Sequence, residues 1–165
     1  MYIAKAKNVT TAEKNLIVKF TKMCFKEIAK KEHELVDKWG DAPTVKQLQN
    51  RCDVNVKYKN QRSNGGKEQI TLDVASLRKR LSYFGEYAAF CKDPVIGSMK
   101  ASPEVCMLAI VAHEVSHHIQ RRYGPHTRWL RNIHSKPHGK GFQAIYRILR
   151  SRVVNPLITE ELKAA

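Results

Sequence analysis

An apolar stretch from residue 103 to residue 123 predicts a buried helix in the second half of the chain. Val105 to Ala112 contains no charged residue, which is typical of a helix that other elements cover. Ser102 is a favourable N-cap, and Pro103 suits the first helical position because its missing N–H needs no partner there. Gly124-Pro125 predicts the end of the helix.

Apolar residues at helical spacing predict further helices on both sides of this stretch. Thr10-Thr11-Ala12-Glu13 fits a capping box and opens a long N-terminal helix that runs to about Lys38. His33 is expected on the solvated face of this helix. A short helix is predicted over 44–50, and an amphipathic helix that begins near Gly139 is expected to end at Pro156.

Two segments between these helices alternate apolar and polar residues. The alternation covers 54–58 and 70–74, and the polar segment 61–67 separates the two. This pattern predicts a β-hairpin with a basic tip. Residues 76–91 combine helical spacing with many aromatic side chains, so their structure stays ambiguous at this point.

The predicted buried helix contains His113-Glu114-Val115-Ser116-His117, an H-E-x-x-H sequence. Residues four apart lie on one helix face with Cβ atoms roughly 6 Å apart, so the two imidazoles can bind one Zn²⁺ at about 2.0–2.1 Å each. Glu114 lies about 100° around the helix and can act as general base on a metal-bound water. Burying this glutamate between two histidines would be costly without pairing or a metal, which favours a zinc site over a chance match.

A catalytic zinc usually has three protein ligands and one open position. The metzincin continuation of the motif is absent, because Gln120 and Tyr123 replace its glycine and last histidine. No aspartate or glutamate occurs between Glu114 and Glu160, and His118 lies on another helix face. The remaining candidates for the third ligand are His126, His134 and His138.

His138 is the favoured third ligand. It stands at the start of the predicted last helix, where a side chain can be held rigidly toward a neighbouring helix. Gly139 and Gly141 permit close approach of the backbone there. His126 and His134 remain the alternatives.

Composition indicates a soluble globular protein with an affinity for polyanions. Of 165 residues, 42% are hydrophobic, and no apolar run is long enough to cross a membrane. No signal peptide is visible and no C-x-x-C pair occurs, so we expect a cytoplasmic or DNA-associated protein with four reduced cysteines. The formal net charge of +15 favours polyanions as partners, with nucleic acid first and an anionic membrane surface or an acidic protein second. The expected partners are a protein substrate and DNA, and no membrane.

The positive charge is concentrated after the H-E-x-x-H motif. Nine Lys or Arg residues and no acidic residue occur from Val115 to Thr159, with Tyr123 and Trp129 among them. Such cations can neutralise phosphates while aromatic rings stack on bases, although a solvated basic rim is the alternative. The candidate nucleic-acid-binding residues are Arg121, Arg122, Arg128, Trp129, Arg131, Lys136 and Lys140.

The two histidine motifs together resemble those of the SprT/Spartan-like metalloprotease family. H-E-V-S-H at 113–117 and H-G-K-G-F at 138–142 match its pattern of H-E-x-x-H followed by H-G-x-x-F or W. The resemblance covers about Tyr2 to Val154. It implies that His113, His117 and His138 bind zinc and that Glu114 is the catalytic base. Members of this family are often DNA-associated proteases that act on proteins bound or crosslinked to DNA.

The expected structure is therefore an α+β fold in a single domain over 1–165. It is a zincin-like minimal metalloprotease domain with a long N-terminal helix, a small antiparallel sheet, a buried H-E-x-x-H helix and a following ligand-bearing helix. The expected function is that of a zinc metalloendopeptidase with one Zn²⁺, a protein substrate and DNA as a partner. Tyr123, Tyr146 or a nearby arginine is expected to stabilise the oxyanion.

Three other functions remain open from the sequence. The chain could be a zinc-containing DNA-binding protein without proteolytic activity, or an interaction protein that uses its basic face. It could also be a zinc hydrolase that acts on a non-peptide bond.

Overall fold

The computed structural model describes residues 8–35, 43–59, 61–79, 83–86, 88–124 and 136–164. The N-terminal helix α1 spans Thr11–Ile28, and the predicted capping box is present. The Glu13 backbone N–H donates to the Thr10 hydroxyl over 3.1 Å, and the Thr10 N–H donates to the Glu13 carboxylate over 2.8 Å. These two bonds pair backbone donors that would otherwise be unsatisfied at the helix start.

Helix α1 ends about ten residues earlier than predicted, and His33 explains why. Its Nε2 donates to the carbonyl of Ile28 over 3.0 Å, and the side chain is buried. The bond pairs one of the last helical carbonyls, so the chain turns back on the helix instead of extending it. The expectation of a solvent-exposed His33 is therefore wrong. A short helix α2 follows at Val45–Asn50, as predicted.

The small sheet is mixed rather than antiparallel. Its strands are β1 (Asp53–Lys57), β2 (Asn64–Gly65) and β3 (Gln69–Asp73), in the spatial order β1-β3-β2. The two long strands pair in parallel, and only the two-residue β2 runs antiparallel to β3. The predicted hairpin of the long strands is therefore wrong. The alternation gave the strands and their buried faces, but it carries no information on strand direction.

A buried aspartate holds the connection between the parallel strands. Asp73 is fully buried, and its Oδ2 accepts the backbone N–H groups of Lys59 and Gln61 over 3.0 and 3.2 Å. Its Oδ1 accepts the N–H of Ser76 and so caps helix α3, Val74–Arg78. One carboxylate thus fixes the crossover to the end of β3, which makes the parallel pairing possible.

The ambiguous stretch contains little regular structure. After α3, β4 (Tyr83–Phe84) pairs antiparallel with β5 (Met99–Lys100), and a 3₁₀ turn lies between them at Ala88–Phe90. The predicted turn at 93–97 is present, with the Asp93 carboxylate accepting two backbone N–H groups.

The buried helix α4 spans Pro103–Tyr123, as predicted, and the Ser102 hydroxyl caps it. It packs against α1, against strands β2 and β3, and against helix α5 at Lys140–Leu149. Helices around a small sheet make the described architecture α+β. Within the described residues, no helix combines the length and the apolar character needed to cross a membrane.

The last helical segment does not end at Pro156. A π-helical turn at Arg150–Val154 follows α5 and leads into α6 at Asn155–Ala164. The Asn155 N–H donates to the Arg150 carbonyl, five residues back. The π-helical turn ends just before Pro156, and the four-residue hydrogen-bond spacing of an α-helix begins again there. The proline therefore lies in the first turn of α6, where its missing N–H costs least.

Candidate metal centre

Two histidines of α4 and one from the turn before α5 meet at one face of α4. His113 and His117 are one helical turn apart, and His138 precedes α5, whose N-cap is Gly139. The Nε2 atom of His138 lies 3.2 Å from Nε2 of His113 and 3.2 Å from Nε2 of His117. The three residues can hold a metal ion. His126 and His134, the alternative third ligands, lie outside the described residues.

The distances between the nitrogens fit a tetrahedral metal. Bonds of 2.0–2.1 Å at tetrahedral angles place two ligand nitrogens about 3.3–3.4 Å apart. Hydrogen bonds between the rings explain these two distances less well, because the single proton on Nε2 of His138 can be donated fully to only one of the two neighbouring nitrogens. Burial lowers the pKa of His117 to about 2, and burial also lowers the pKa of His138. Both imidazoles are therefore neutral near pH 7, as metal ligands must be.

One aromatic ring supports all three histidines. Phe142 is fully buried, and its ring centroid lies 4.3 Å from that of His117, 4.8 Å from that of His113 and 5.1 Å from that of His138. This is the phenylalanine of the H-G-K-G-F motif. It lies four positions after His138 and contacts that ring as well as the two histidines of α4.

Glu114 lines the same cleft as the three histidines. The cleft has a volume of about 460 Å³, and the glutamate is 7% exposed. Burial raises the pKa of Glu114, while the His113 ring and the backbone N–H of Gly65 act in the opposite direction. A carboxylate with a raised pKa is a stronger base than an ordinary glutamate, which suits a group that accepts a proton from water.

Gly65 brings strand β2 against the backbone of α4. A Cβ at this position would lie 1.9 Å from the carbonyl oxygen of Glu114 and 2.8 Å from the Cβ of His117. Only a residue without a side chain permits this approach. The close packing also places the Gly65 N–H beside the carboxylate of Glu114.

Glu86 was not anticipated from the sequence. It follows β4, and its side chain is 1% exposed. Its Oε1 lies 3.3 Å from Nδ1 of His113, the ring nitrogen that faces away from the other histidines. The sequence contains one indication of its role, since Glu86 is the lone acid in an aromatic stretch from Tyr83 to Phe90.

Of the three expected oxyanion-stabilising groups, only an arginine lines the cleft. Tyr146 is fully buried behind the histidines, and Tyr123 is not part of the cleft lining. Arg121 lines the cleft, and its Nη1 donates to the Gly65 carbonyl over 2.9 Å and to Asn64 Oδ1 over 3.1 Å. These bonds hold the guanidinium near Glu114.

The candidate nucleic-acid-binding residues are only partly described. Arg121 lies at the cleft, and Arg122 pairs with Glu68. Lys136 and Lys140 are exposed on either side of His138. Arg128, Trp129 and Arg131 lie outside the described residues.

Comparison of the chain with protein-family models, with curated proteins and with solved structures gives no match. The interpretation of the site therefore depends on its motifs and on its geometry.

Proposed function

We propose that the protein is a zinc-dependent metallopeptidase of the SprT-like type, with a zincin-like domain. The observation that carries the proposal is that three converging imidazole nitrogens and one buried carboxylate share a single cleft. A purely structural metal site has no use for a buried base beside the ligands, whereas a hydrolytic site needs one.

His113, His117 and His138 would hold the zinc through their Nε2 atoms. Three imidazoles with a fourth position open to a cleft are the donor set of a catalytic zinc site. When bound, zinc supplies Lewis-acid polarisation of a carbonyl and a water molecule with a pKa near 7.

Glu114 accepts the proton of the attacking water and passes it to the leaving amine. Its raised pKa favours both halves of this task, because a strongly acidic carboxylate would be a poor base and a reluctant donor. Gly65 orients the carboxylate through its backbone N–H. Arg121 places a positive charge at the cleft, where negative charge develops on the oxygen of the scissile carbonyl.

Nucleic-acid-associated proteins are the proposed substrates. The net charge of +15 and the exposed Lys136 and Lys140 beside the cleft support this part of the proposal. A polyanion bound on this side would bring proteins attached to it close to the metal centre.

The test is a cleavage assay with the zinc-loaded protein and its Glu114→Gln variant. The substrates are a DNA-binding protein and the chain itself, each with and without single- or double-stranded DNA. We expect Glu114→Gln to lower the cleavage rate by about 10²–10⁴-fold, because it removes the base. The variant should retain one zinc per chain, since Glu114 is not a ligand.

Glu160→Gln is the matched control, because Glu160 is exposed on α6 and far from the histidines in sequence. It should cleave like the wild type. Cleavage that survives Glu114→Gln would disprove the assigned mechanism. Zinc binding and DNA binding without any cleavage would favour the alternative, a zinc-containing DNA-binding protein.

A further inference from the structure

The carboxylate of Glu86 is buried directly behind the first histidine of the metal centre. Its Oε1 lies 3.3 Å from Nδ1 of His113, which is an ion-pair distance. That nitrogen is shielded from solvent and makes no aligned hydrogen bond with the described residues. Water therefore cannot serve as the acceptor for an Nδ1–H at this position. An imidazole that binds a metal through Nε2 must carry its proton on Nδ1, and this proton needs an acceptor.

Neighbouring groups fix the position of Glu86 from two sides. Its backbone N–H donates to the hydroxyl of Ser98 over 2.8 Å, which ties the residue to the segment before β5. Its side chain also interacts with the hydroxyl of Tyr146 on α5. The Tyr146 hydroxyl donates to the Ala109 carbonyl over 3.4 Å, which holds the phenol ring in place.

A buried arginine completes this network on the side away from the metal. Arg150 is 2% exposed and begins the π-helical turn after α5. It donates to the Tyr146 hydroxyl over 3.4 Å and to the Gly97 carbonyl over 3.0 Å. Its positive charge and the negative charge of Glu86 both act on Tyr146, and opposite charges near one another lower the penalty of burying each.

We propose that Glu86 is a positioning residue of the metal centre. It accepts the Nδ1–H of His113 and so presents the unprotonated Nε2 of that ring to the metal, while Ser98 and the neighbouring Tyr146 fix the position of Glu86. The inference depends on metal binding by the three histidines and not on peptidase activity.

The arrangement distinguishes the two histidines on α4. Nδ1 of His117 is also buried, but no carboxylate of the described residues forms an ion pair with that ring, as Glu86 does with His113. Loss of the Glu86 carboxylate should therefore affect the orientation and tautomer of His113 and leave the other ring on α4 unchanged.

The first experiment measures Zn²⁺ affinity by competition with a chelator for the wild type and four variants. We expect Glu86→Ala to weaken binding by about 10–100-fold, as loss of a carboxylate behind a histidine ligand does elsewhere. Glu86→Gln should lose less, because its amide oxygen can still accept the proton. Tyr146→Phe should lose less than Glu86→Ala. Glu27→Gln is the matched control, since Glu27 is also a buried carboxylate but lies on α1.

The second experiment reads the histidine tautomer directly in the metal-free protein. Long-range ¹H–¹⁵N correlation should show His113 with its proton on Nδ1 in the wild type and in Glu27→Gln. Glu86→Ala should give a mixture of both tautomers at His113. If Glu86 acted only in folding, the ratio of the two His113 tautomers would be the same as in the wild type. The ratio is therefore compared in the fraction of Glu86→Ala that circular dichroism shows to be folded.

Two results would overturn the inference: unchanged zinc affinity in Glu86→Ala, or an Nδ1 of His113 that carries no proton in the wild type. His138→Ala separates this failure from a failure of the metal centre. If His138→Ala loses zinc while Glu86→Ala does not, the result supports the metal centre and contradicts the positioning role of Glu86. If the wild type itself binds no zinc, the metal centre falls.

Discussion

Burial sets the charge of the histidines around the metal centre. Burial lowers the pKa of His117 to about 2 and also lowers the pKa values of His118 and His138. Unfolded histidines titrate near pH 6.5, so below that value the unfolded chain binds protons that the folded chain does not. The stability contributed by these neutral rings is present above pH 6.5 and is lost as the pH falls below it.

Lowering the pH should therefore destabilise the metal-free protein at pH values that are still well above the usual pKa range of carboxylates. For His117 alone, the free energy of unfolding should fall by about 1.4 kcal/mol for each pH unit well below 6.5. Urea unfolding in chelator between pH 7 and pH 5.5 would measure this fall. Glu114 acts in the opposite sense because its pKa is raised, so Glu114→Gln should steepen the dependence. A stability that stays level or rises toward pH 5.5 would contradict the expectation.

Individual residues differ in how far sequence could assign them. His113 and His117 were predictable, because helical spacing alone brings two side chains onto one face. Glu86 was not, because its partner is 27 positions away along the chain and no periodicity links the two. The arginines after the motif also depend on distant acids, since Arg147 pairs with Asp93 and Arg152 with Glu27. The absence of acidic residues from 115 to 159 therefore did not show which of its arginines form ion pairs with acids elsewhere in the chain.

Among the contacts between elements, the one between β2 and α4 leaves no room for an added methyl group. In Gly65→Ala the new Cβ would meet the Glu114 carbonyl, a backbone atom that cannot move without displacing the helix. We expect a loss of about 1–3 kcal/mol in the free energy of unfolding, the usual range for overpacking. Urea unfolding in chelator measures the change.

Gly85→Ala provides the comparison for Gly65→Ala. There the nearest atom belongs to the half-exposed ring of Tyr83, 3.2 Å away, and the ring can rotate aside. This variant should lose clearly less stability. Equal losses in the two variants would mean that β2 does not pack rigidly on α4.

Elements were predictable where local signals agreed and uncertain where the result depends on distant partners. Helix α4 has a cap, a proline, an apolar run and a stop, and its bounds were predicted closely. Strands β1 and β3 were found from alternation, but their parallel pairing depends on the Asp73 carboxylate 14 residues beyond Lys59. The π-helical turn before Pro156 likewise depends on the contacts of Arg150, which no local pattern shows.

The excess of positive charge is a property of the whole molecule and leads to a prediction about salt. If duplex DNA binds through about five phosphates, its affinity should fall by roughly 500-fold between 50 and 200 mM salt. Fluorescence anisotropy with a labelled duplex would measure the slope. An affinity that does not change with salt would count against a nucleic-acid partner.

Paired lysine variants would show where DNA binds. Lys136→Ala with Lys140→Ala removes two exposed charges beside the cleft, and Lys19→Ala with Lys22→Ala removes two exposed charges on α1. Binding beside the cleft predicts a shallower slope, by up to about two, for the first pair only. Equal effects of the two pairs would indicate binding that is spread over the surface.

The order of residues along the chain has a consequence for how the protein is made. His117 is synthesised before His138, and Glu161 comes roughly forty residues after His117. The carboxylate of Glu161 accepts the backbone N–H of Ser102, which is the N-cap of α4. At about 5–20 residues per second, a ribosome needs about 2–9 s to proceed from His117 to Glu161. Until His138 is made, 21 residues after His117, the nascent chain carries only two of the three histidines, and it lacks the carboxylate at the N-cap of α4 throughout the interval. The three histidines are therefore complete before that N-cap is, and metal capture on a fully capped α4 can begin only after Glu161 has been made.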